Sequence, residues 1–430
     1  MGNKLSVLDK VFVGILLVIF GGIVVHAPIS VGLSTLWPDY SLLIKSWKEV
    51  LLGVALLLAI VILTMKKEWG VAHSKLMYMI AAFAALNLLL IPVFYTGFES
   101  TVAGLFINLR FFLFFVLVYV ALTLYPQLYR LFLAVFIGGA LVVMVVALLQ
   151  VTVLPHDILK YLGYSQSTIM PYLTVDQNDS YIRINSTLRG PNPLGAYAVV
   201  VLSVVLVHLL RATHAFKRTE KVELWILGVG AAVALWASYS RSAALAALVA
   251  VGVVLAAVYG RRLTKALWVG LALTALVLGG SLVVFRDTQF VSQVILHEDP
   301  KEGNNVNSNE GHAGSLTDGA RRVLKQPLGS GIGSTGSASL LSDQPLIIEN
   351  QYLFVAHETG WVGLGLFLAI SYLVLSELWR RRRQWLALAV FASGIGLAIA
   401  GLFLPVWGDE TVALVWWGLA AIALTRKVKV

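Results

Sequence analysis

Three short stretches of this sequence hold polar residues whose types and spacing suit chemistry. The first is Ser186-Thr-Leu-Arg-Gly-Pro-Asn-Pro-Leu-Gly195, where Gly190, Pro191 and Pro193 fix a rigid turn beside Arg189, directly before an apolar run. Arg189 there suits either an interfacial charge at a helix start or an anion ligand. The second is Ser238-Tyr-Ser-Arg-Ser-Ala243, which sets Arg241 in a tight turn between two apolar runs. A guanidinium stays charged and presents a planar fork of donors matched to phosphate. The flanking Ser hydroxyls add donors; pairing with a carboxylate is the structural alternative. The third is Glu349-Asn-Gln-Tyr-Leu-Phe-Val-Ala-His-Glu-Thr-Gly360, at the start of another apolar run. As a helix, at ~100° per residue, it brings Asn350 and His357 within ~20° of one face, with Glu358 on the neighbouring edge and Glu349 at the entrance. Ionisable groups in such a run are costly to keep, and a site is the first reading of them. For His357, hydrogen-bonded packing is the alternative. No second His follows His357 at four residues, so a zincin-type site is not expected, and no metal is assigned.

Three weaker signals accompany these. Arg110, in Ile107-Asn-Leu-Arg-Phe-Phe, lies near the start of an apolar run, either as a helper to the site or in a structural pair. Arg321 and Arg322 fall in a short amphipathic segment, Asp318–Lys325. The following Gly329-Ser-Gly-Ile-Gly333 has the look of a phosphate loop, but no strand precedes it, so it is no dinucleotide motif. As a flexible turn beside Arg321 and Arg322 it is expected to shape an anionic cleft.

The elements that must position these residues are membrane helices. The chain has 430 residues, 59% of them hydrophobic and 13% charged, with mean hydropathy +0.84. A soluble protein carries about a quarter charged residues, so this composition excludes one. With no Cys there is no disulfide, thiolate metal site or Cys nucleophile. Apolar runs long enough to cross a ~30 Å core number about twelve. They are Val11–Ala27, Val50–Met65, Leu76–Tyr95, Leu105–Tyr125, Leu128–Val151, Leu194–Leu210, Leu224–Ser238, Ala243–Tyr259, Ala266–Phe285, Tyr352–Leu378, Leu386–Leu404 and Thr411–Leu424. The first is longer than a signal peptide's apolar core, so it is expected to stay as an uncleaved helix.

With both termini cytoplasmic, alternate short connections hold most of the 32 Lys and Arg residues, as the positive-inside rule requires. The net charge of +10 is thereby a topology and lipid-contact signal, and no nucleic-acid partner is needed. Two long stretches, 152–193 and 286–351, then fall on the outer side, the second between the ninth and tenth spans. The second opens with a polar stretch, His297–Gly319, expected to be partly mobile. The fold class is therefore all-α and polytopic, one transmembrane domain over 1–430 with no evident internal repeat.

The motif Arg189-Gly-Pro-Asn-Pro-Leu-Gly195, the Ser-Arg-Ser-Ala turn at 240–243, Arg321/Arg322 leading to Pro327-Leu-Gly-Ser-Gly-Ile-Gly333, and Glu349-Asn-Gln-Tyr-Leu followed by His357-Glu-Thr-Gly-Trp-Val-Gly363 resemble the O-antigen ligase/polymerase superfamily. The resemblance implies a GT-C-like glycosyltransferase at the periplasmic face of the bacterial inner membrane. Such an enzyme takes an undecaprenyl-diphosphate-linked glycan as donor, passes it to a glycan or lipid acceptor and uses no cofactor. A chain-length regulator protein is an expected partner. Arg189 and Arg241 match the arginines placed at the carrier diphosphate; Arg321, Arg322, Asn350 and Arg110 are expected to help bind substrate. Ligases of the superfamily carry a His before the Asn at position 350, and here that residue is Glu349. Glu349 or His357 is then the expected base, and a polymerase is expected ahead of a ligase acting on lipid A core. A lipid or sugar transporter is the competing class, although the commonest twelve-span transporters pair two similar halves, and none are evident here.

Overall fold

The computed structural model describes residues 5–175, 178–212, 215–260, 265, 269–270, 273, 284, 288 and 308–425, with side chains in the last stretch from 314 onward. The ninth expected span, Ala266–Phe285, lies outside the described residues but for isolated positions, and so does the opening of the polar stretch from His297. The chain begins with α1 (Val7–Gly22) and, after a 3-10 turn, α2 (His26–Leu36), which form one apolar path of 30 residues. A short α3 (Ser41–Lys45) leads to α4 (Trp47–Lys66), α5 (Lys75–Leu90), α6 (Phe98–Leu124) and α7 (Tyr129–Thr152). A hairpin of β1 (Leu173–Val175) and β2 (Asn178–Arg183) follows, antiparallel, with Leu173 opposite Arg183 and Thr174 opposite Ile182. Then come α8 (Pro191–Arg211), α9 (Arg218–Ala237), α10 (Arg241–Tyr259), α11 (Ser308–Lys325), the one-turn α12 (Gly336–Ser339), α13 (Gln351–Arg380), α14 (Trp385–Ala400) and α15 (Glu410–Thr425).

Seven of the helical stretches among the described residues are long and apolar enough to cross a membrane, and α5, α14 and α15 are shorter apolar helices. The protein is a mostly helical, multi-pass membrane protein. The count of twelve spans is not established: α9 covers the expected Leu224–Ser238, but Arg218, Glu220, Lys221 and Glu223 occupy its first turns. The expected span Leu386–Leu404 stops at Ala400 as α14, and its last residues belong to a connection that returns to the site. The hairpin is a departure from the helical expectation; Tyr181, Ile182 and Ile184, aromatic and β-branched, are the sequence signal for it.

A helix apolar on every side belongs in the middle of a bundle. α15 is that helix, buried from Thr411 to Leu424 and packed along α6. Trp417 meets the rings of Phe112 and Phe115 edge-on at 4.8 and 5.7 Å. α10 and α14 approach closely because Gly396 faces the backbone of Ala246, where a Cβ would stand 2.4 Å from the carbonyl oxygen. This packing fixes the starts of α8, α10, α13 and α15 at one end of the bundle.

Candidate functional site

At that end lies a cleft of about 740 Å³. It is lined by the end of β2 (Arg183), the first turn of α8 (Asn192, Pro193, Ala196), the α9–α10 turn (Tyr239 to Ser242) and Leu245. Leu316 of α11, Ile347 and Glu349 before α13, and Phe403 to Val406, Asp409 and Val412 around the start of α15 complete it. One wall is charged and another is apolar. Four helix N-termini converge here, each carrying partial positive charge from its unsatisfied amides. Two of them are occupied by side-chain caps: Asn350 accepts from the amides of Tyr352 and Leu353, both at 2.9 Å, and Asp409 Oδ1 accepts from Val412 at 3.0 Å. The other two, at α8 and α10, have no side-chain capping bond; α8 opens with Pro191 and Pro193, which carry no N–H, so the first turn of α10 is the one that offers amides suited to an anion.

Arg241 is the first residue of α10 and is exposed to the cleft. The turn before it is built by serine: Ser238 Oγ accepts from the Ser240 amide at 3.2 Å and donates to Leu235 O at 2.7 Å. Ser238 is thus spent on the turn, whereas Ser242 lines the cleft. The motif at 189–195 packs against this turn, since a Cβ on Gly195 would meet Ser238 Oγ and Ala243 Cβ at 2.8 Å each. Arg183 joins Arg241 from the other side. Its Nε donates to Ser238 O at 2.8 Å and its Nη2 to Asn192 Oδ1 at 2.7 Å, so two donors aim the guanidinium.

Arg189 does not line the cleft. It is exposed, and near enough to Asp409 for its charge to act on that carboxyl. Burial raises the Asp409 carboxyl above the usual aspartate range; the Val412 amide, Arg189 and Arg110 oppose that rise, while Glu410 adds to it. Glu349 lines the cleft directly, its amide donating to Ser315 Oγ of α11 at 3.2 Å. Asn350 is the cap of α13, and its Nδ2 also donates to Leu402 O at 2.9 Å, so the side chain holds the chain rather than a substrate.

His357 is 2% exposed and does not line the cleft; it sits behind it, close to the charges of Arg322 and Asp318. Its Nδ1 has no hydrogen-bond partner among the described residues. Arg322 is paired with Asp318 at 2.7 Å, which holds that exposed carboxyl below the usual range, and neither Arg321 nor Arg322 lines the cleft. Glu358 is fully buried and accepts from Asn108 Nδ2 at 2.7 Å and from the Gly333 amide at 3.0 Å. It clamps the Gly-rich segment, which differs from the expected flexible turn. Gly331 and Gly333 have φ of +99° and +82°, and a Cβ would stand 2.3 Å from Phe94 O or 2.1 Å from Ser100 O. The segment is a wedge between helices, not the wall of a cleft.

Arg110 belongs to a buried ion network. Its Nη1 lies 3.1 Å from Glu410 and 3.4 Å from Glu49, and its Nη2 donates to Gly408 O at 2.8 Å. Lys48 and His26 also reach Glu410, each at 2.8 Å. The network stands directly behind Asp409. Among the described residues no group of His, Asp and Glu is arranged to hold a metal ion. Sequence reasoning missed Arg183, Asp409 and Tyr239 as cleft residues. The available signal for Arg183 was a cation in an outer connection, and Asp409 was read only as part of a charge bias.

Fold and cleft together define a polytopic α-helical membrane protein with a cation-lined, half-apolar recess at one end of its bundle. Residues 226–368 match the model of the family described as O-Antigen ligase. The matched stretch contains the Arg241 turn, α11, the Gly-rich wedge and the start of α13, and the match bears out the resemblance to the O-antigen ligase/polymerase superfamily. No curated protein matches the chain.

Proposed function

We propose that this protein is a membrane glycosyltransferase that joins undecaprenyl-diphosphate-linked glycan units into a polysaccharide at the periplasmic face of the bacterial inner membrane, with both termini cytoplasmic. The observation that carries this reading is the meeting of Arg183, Arg241 and the uncapped start of α10 with the carboxylate of Glu349 in one cleft that also has an apolar wall. A diphosphate on a polyprenyl chain needs both halves of such a surface. Members of the matched family are enzymes acting on lipid-linked glycans, and no nucleotide or cofactor enters the step proposed here.

In this mechanism an acceptor hydroxyl attacks the anomeric carbon of the donor glycan. Its proton passes to the Glu349 carboxylate, the base that lines the cleft, rather than to His357, which is buried behind it. The bond from the anomeric carbon to the diphosphate oxygen breaks, and its electron pair stays on that oxygen. Arg241 and Arg183 stabilise the charge that develops there, with Arg189 at the rim. The aim of Arg183 is set by Ser238 and Asn192, so little rearrangement is needed when the charge appears.

A ligase that transfers the glycan to lipid A core is the second reading, favoured by the description of the matched family. Incubating the purified protein with one lipid-linked repeat unit separates the two. A ladder of products is expected. A product that forms only when lipid A core is added supports the ligase. Transport of the lipid across vesicles with no new glycosidic bond refutes both.

A further inference from the structure

We propose that Tyr239, with Tyr181 beside it, forms a stacking platform for the sugar ring attached to the carrier diphosphate. The inference rests on the glycosyl transfer proposed above and adds a subsite to it. Tyr239 lines the cleft between Ser238 and Arg241, yet its backbone φ is +47°. A bulky side chain seldom adopts this left-handed conformation, and glycine or asparagine takes it at much lower cost. The turn itself therefore does not call for tyrosine. Its neighbours show what the ring adds. The Tyr239 ring stands 6.3 Å from Tyr181 at an interplanar angle of 68°, and 6.3 Å from Trp236.

Tyr181 lies two residues before Arg183 on β2, so both project from the same face of the strand. The cleft thus holds Tyr239 with Arg241 and Arg183, while Tyr181, two residues before Arg183, backs the Tyr239 ring from β2. The guanidinium groups suit the diphosphate, and the Tyr239 ring lies one short step away. The group one bond from the diphosphate, on the side opposite the lipid, is the first sugar. The apolar wall formed by Phe403, Leu404 and Leu245 suits the lipid chain, which leaves the tyrosines to the sugar. A pyranose presents C–H groups on its face to an aromatic ring and hydroxyls at its edge to a phenol. The Tyr239 phenol, protonated at neutral pH like any ordinary tyrosine, can donate to such a hydroxyl.

The test uses the full-length protein in nanodiscs with two probes, undecaprenyl diphosphate and the same lipid carrying one N-acetylglucosamine. Tyr239→Gly relieves the backbone and removes the ring, so a purely structural tyrosine and a substrate-contacting one predict different results. The thermal midpoint is expected to hold or rise, while affinity for the sugar-bearing lipid falls about tenfold and affinity for the sugar-free lipid stays unchanged. Tyr239→Phe keeps the stacking face and is expected to lose about threefold on the sugar-bearing lipid alone. Equal binding of both probes by the glycine variant and wild type overturns the platform, as does an equal loss on both. Failure of the underlying reading looks different: wild type then binds neither lipid, or Arg241→Ala leaves the sugar-free lipid unaffected.

Discussion

Replacing Arg241 with alanine tests the electrostatic core of the mechanism. The side chain is exposed at the first position of α10, where alanine is an excellent helix former, so the variant is expected to fold. The loss falls on the transition state. Removing one preorganised donor from a developing oxyanion costs about 2.7–4 kcal/mol, or a factor of 10² to 10³ in turnover. Arg183 and the first-turn amides of α10 stay in the same cleft after the substitution, so the lower end applies: about a hundredfold. Arg241→Lys keeps the charge and loses the fork, and roughly tenfold is expected. The assay is single-turnover product formation by purified protein with saturating lipid-linked repeat unit, beside a thermal midpoint for each variant. The diphosphate is anionic in the bound donor and gains charge during bond breaking, so a fall in kcat is expected together with a smaller rise in KM. An alanine variant that folds normally and keeps more than about a third of the wild-type turnover refutes the reasoning.

Other outcomes follow from the same geometry. Glu349→Gln is expected to lower turnover by about 10² or more, whereas His357→Ala lowers it far less, and the reverse order in a side-by-side assay would move the base to His357. Burial raises the Asp409 carboxyl in the folded protein, so the stability it contributes is present below the usual aspartate range and is lost as pH rises through its folded value. Asp409→Asn, which still caps Val412, should therefore raise the thermal midpoint at pH 7.5 and leave it unchanged near pH 3; a shift of equal size at both would contradict this. Glu358→Ala leaves the Gly333 amide and one N–H of Asn108, whose Nδ2 also donates to Asn87, without their acceptor in a buried place, with a cost of about 2–5 kcal/mol in denaturant titrations. A variant within 0.5 kcal/mol of wild type would show that Glu358 is no clamp, the spread expected of ordinary surface changes being about that size.

The helices were legible because apolar length is a strong signal, although Leu76–Tyr95 and Leu386–Leu404 run past their helices, which end at Leu90 and Ala400. Arg241 was legible because a cation in a tight turn between two apolar runs conflicts with the charge bias, and Glu349 because it stands at the mouth of a span. The roles of Asn350 and Glu358 were not legible, since a polar residue that caps a helix or clamps a loop looks the same in sequence as one that binds substrate. Only the tertiary partners, Leu402 for Asn350 and Gly333 for Glu358, separate the two. Arg183 was hidden for a related reason. Its aim depends on Ser238, far along the chain, and on a hairpin whose strands are too short to give a clear alternation.

Glu410 has a consequence for biosynthesis. Its carboxylate opens α15, yet the side chains it meets, His26, Lys48 and Arg110, sit on α2, α4 and α6, 300 residues or more earlier in the chain. Besides Glu410, the carboxylate within ion-pair distance of Lys48 and Arg110 among the described residues is Glu49, so two cations share one acid until α15 is made. Assembly of this network therefore waits on α15, like a ring fastened with a single clasp, and a chain stalled before that helix would keep an unmatched cation among its earlier helices.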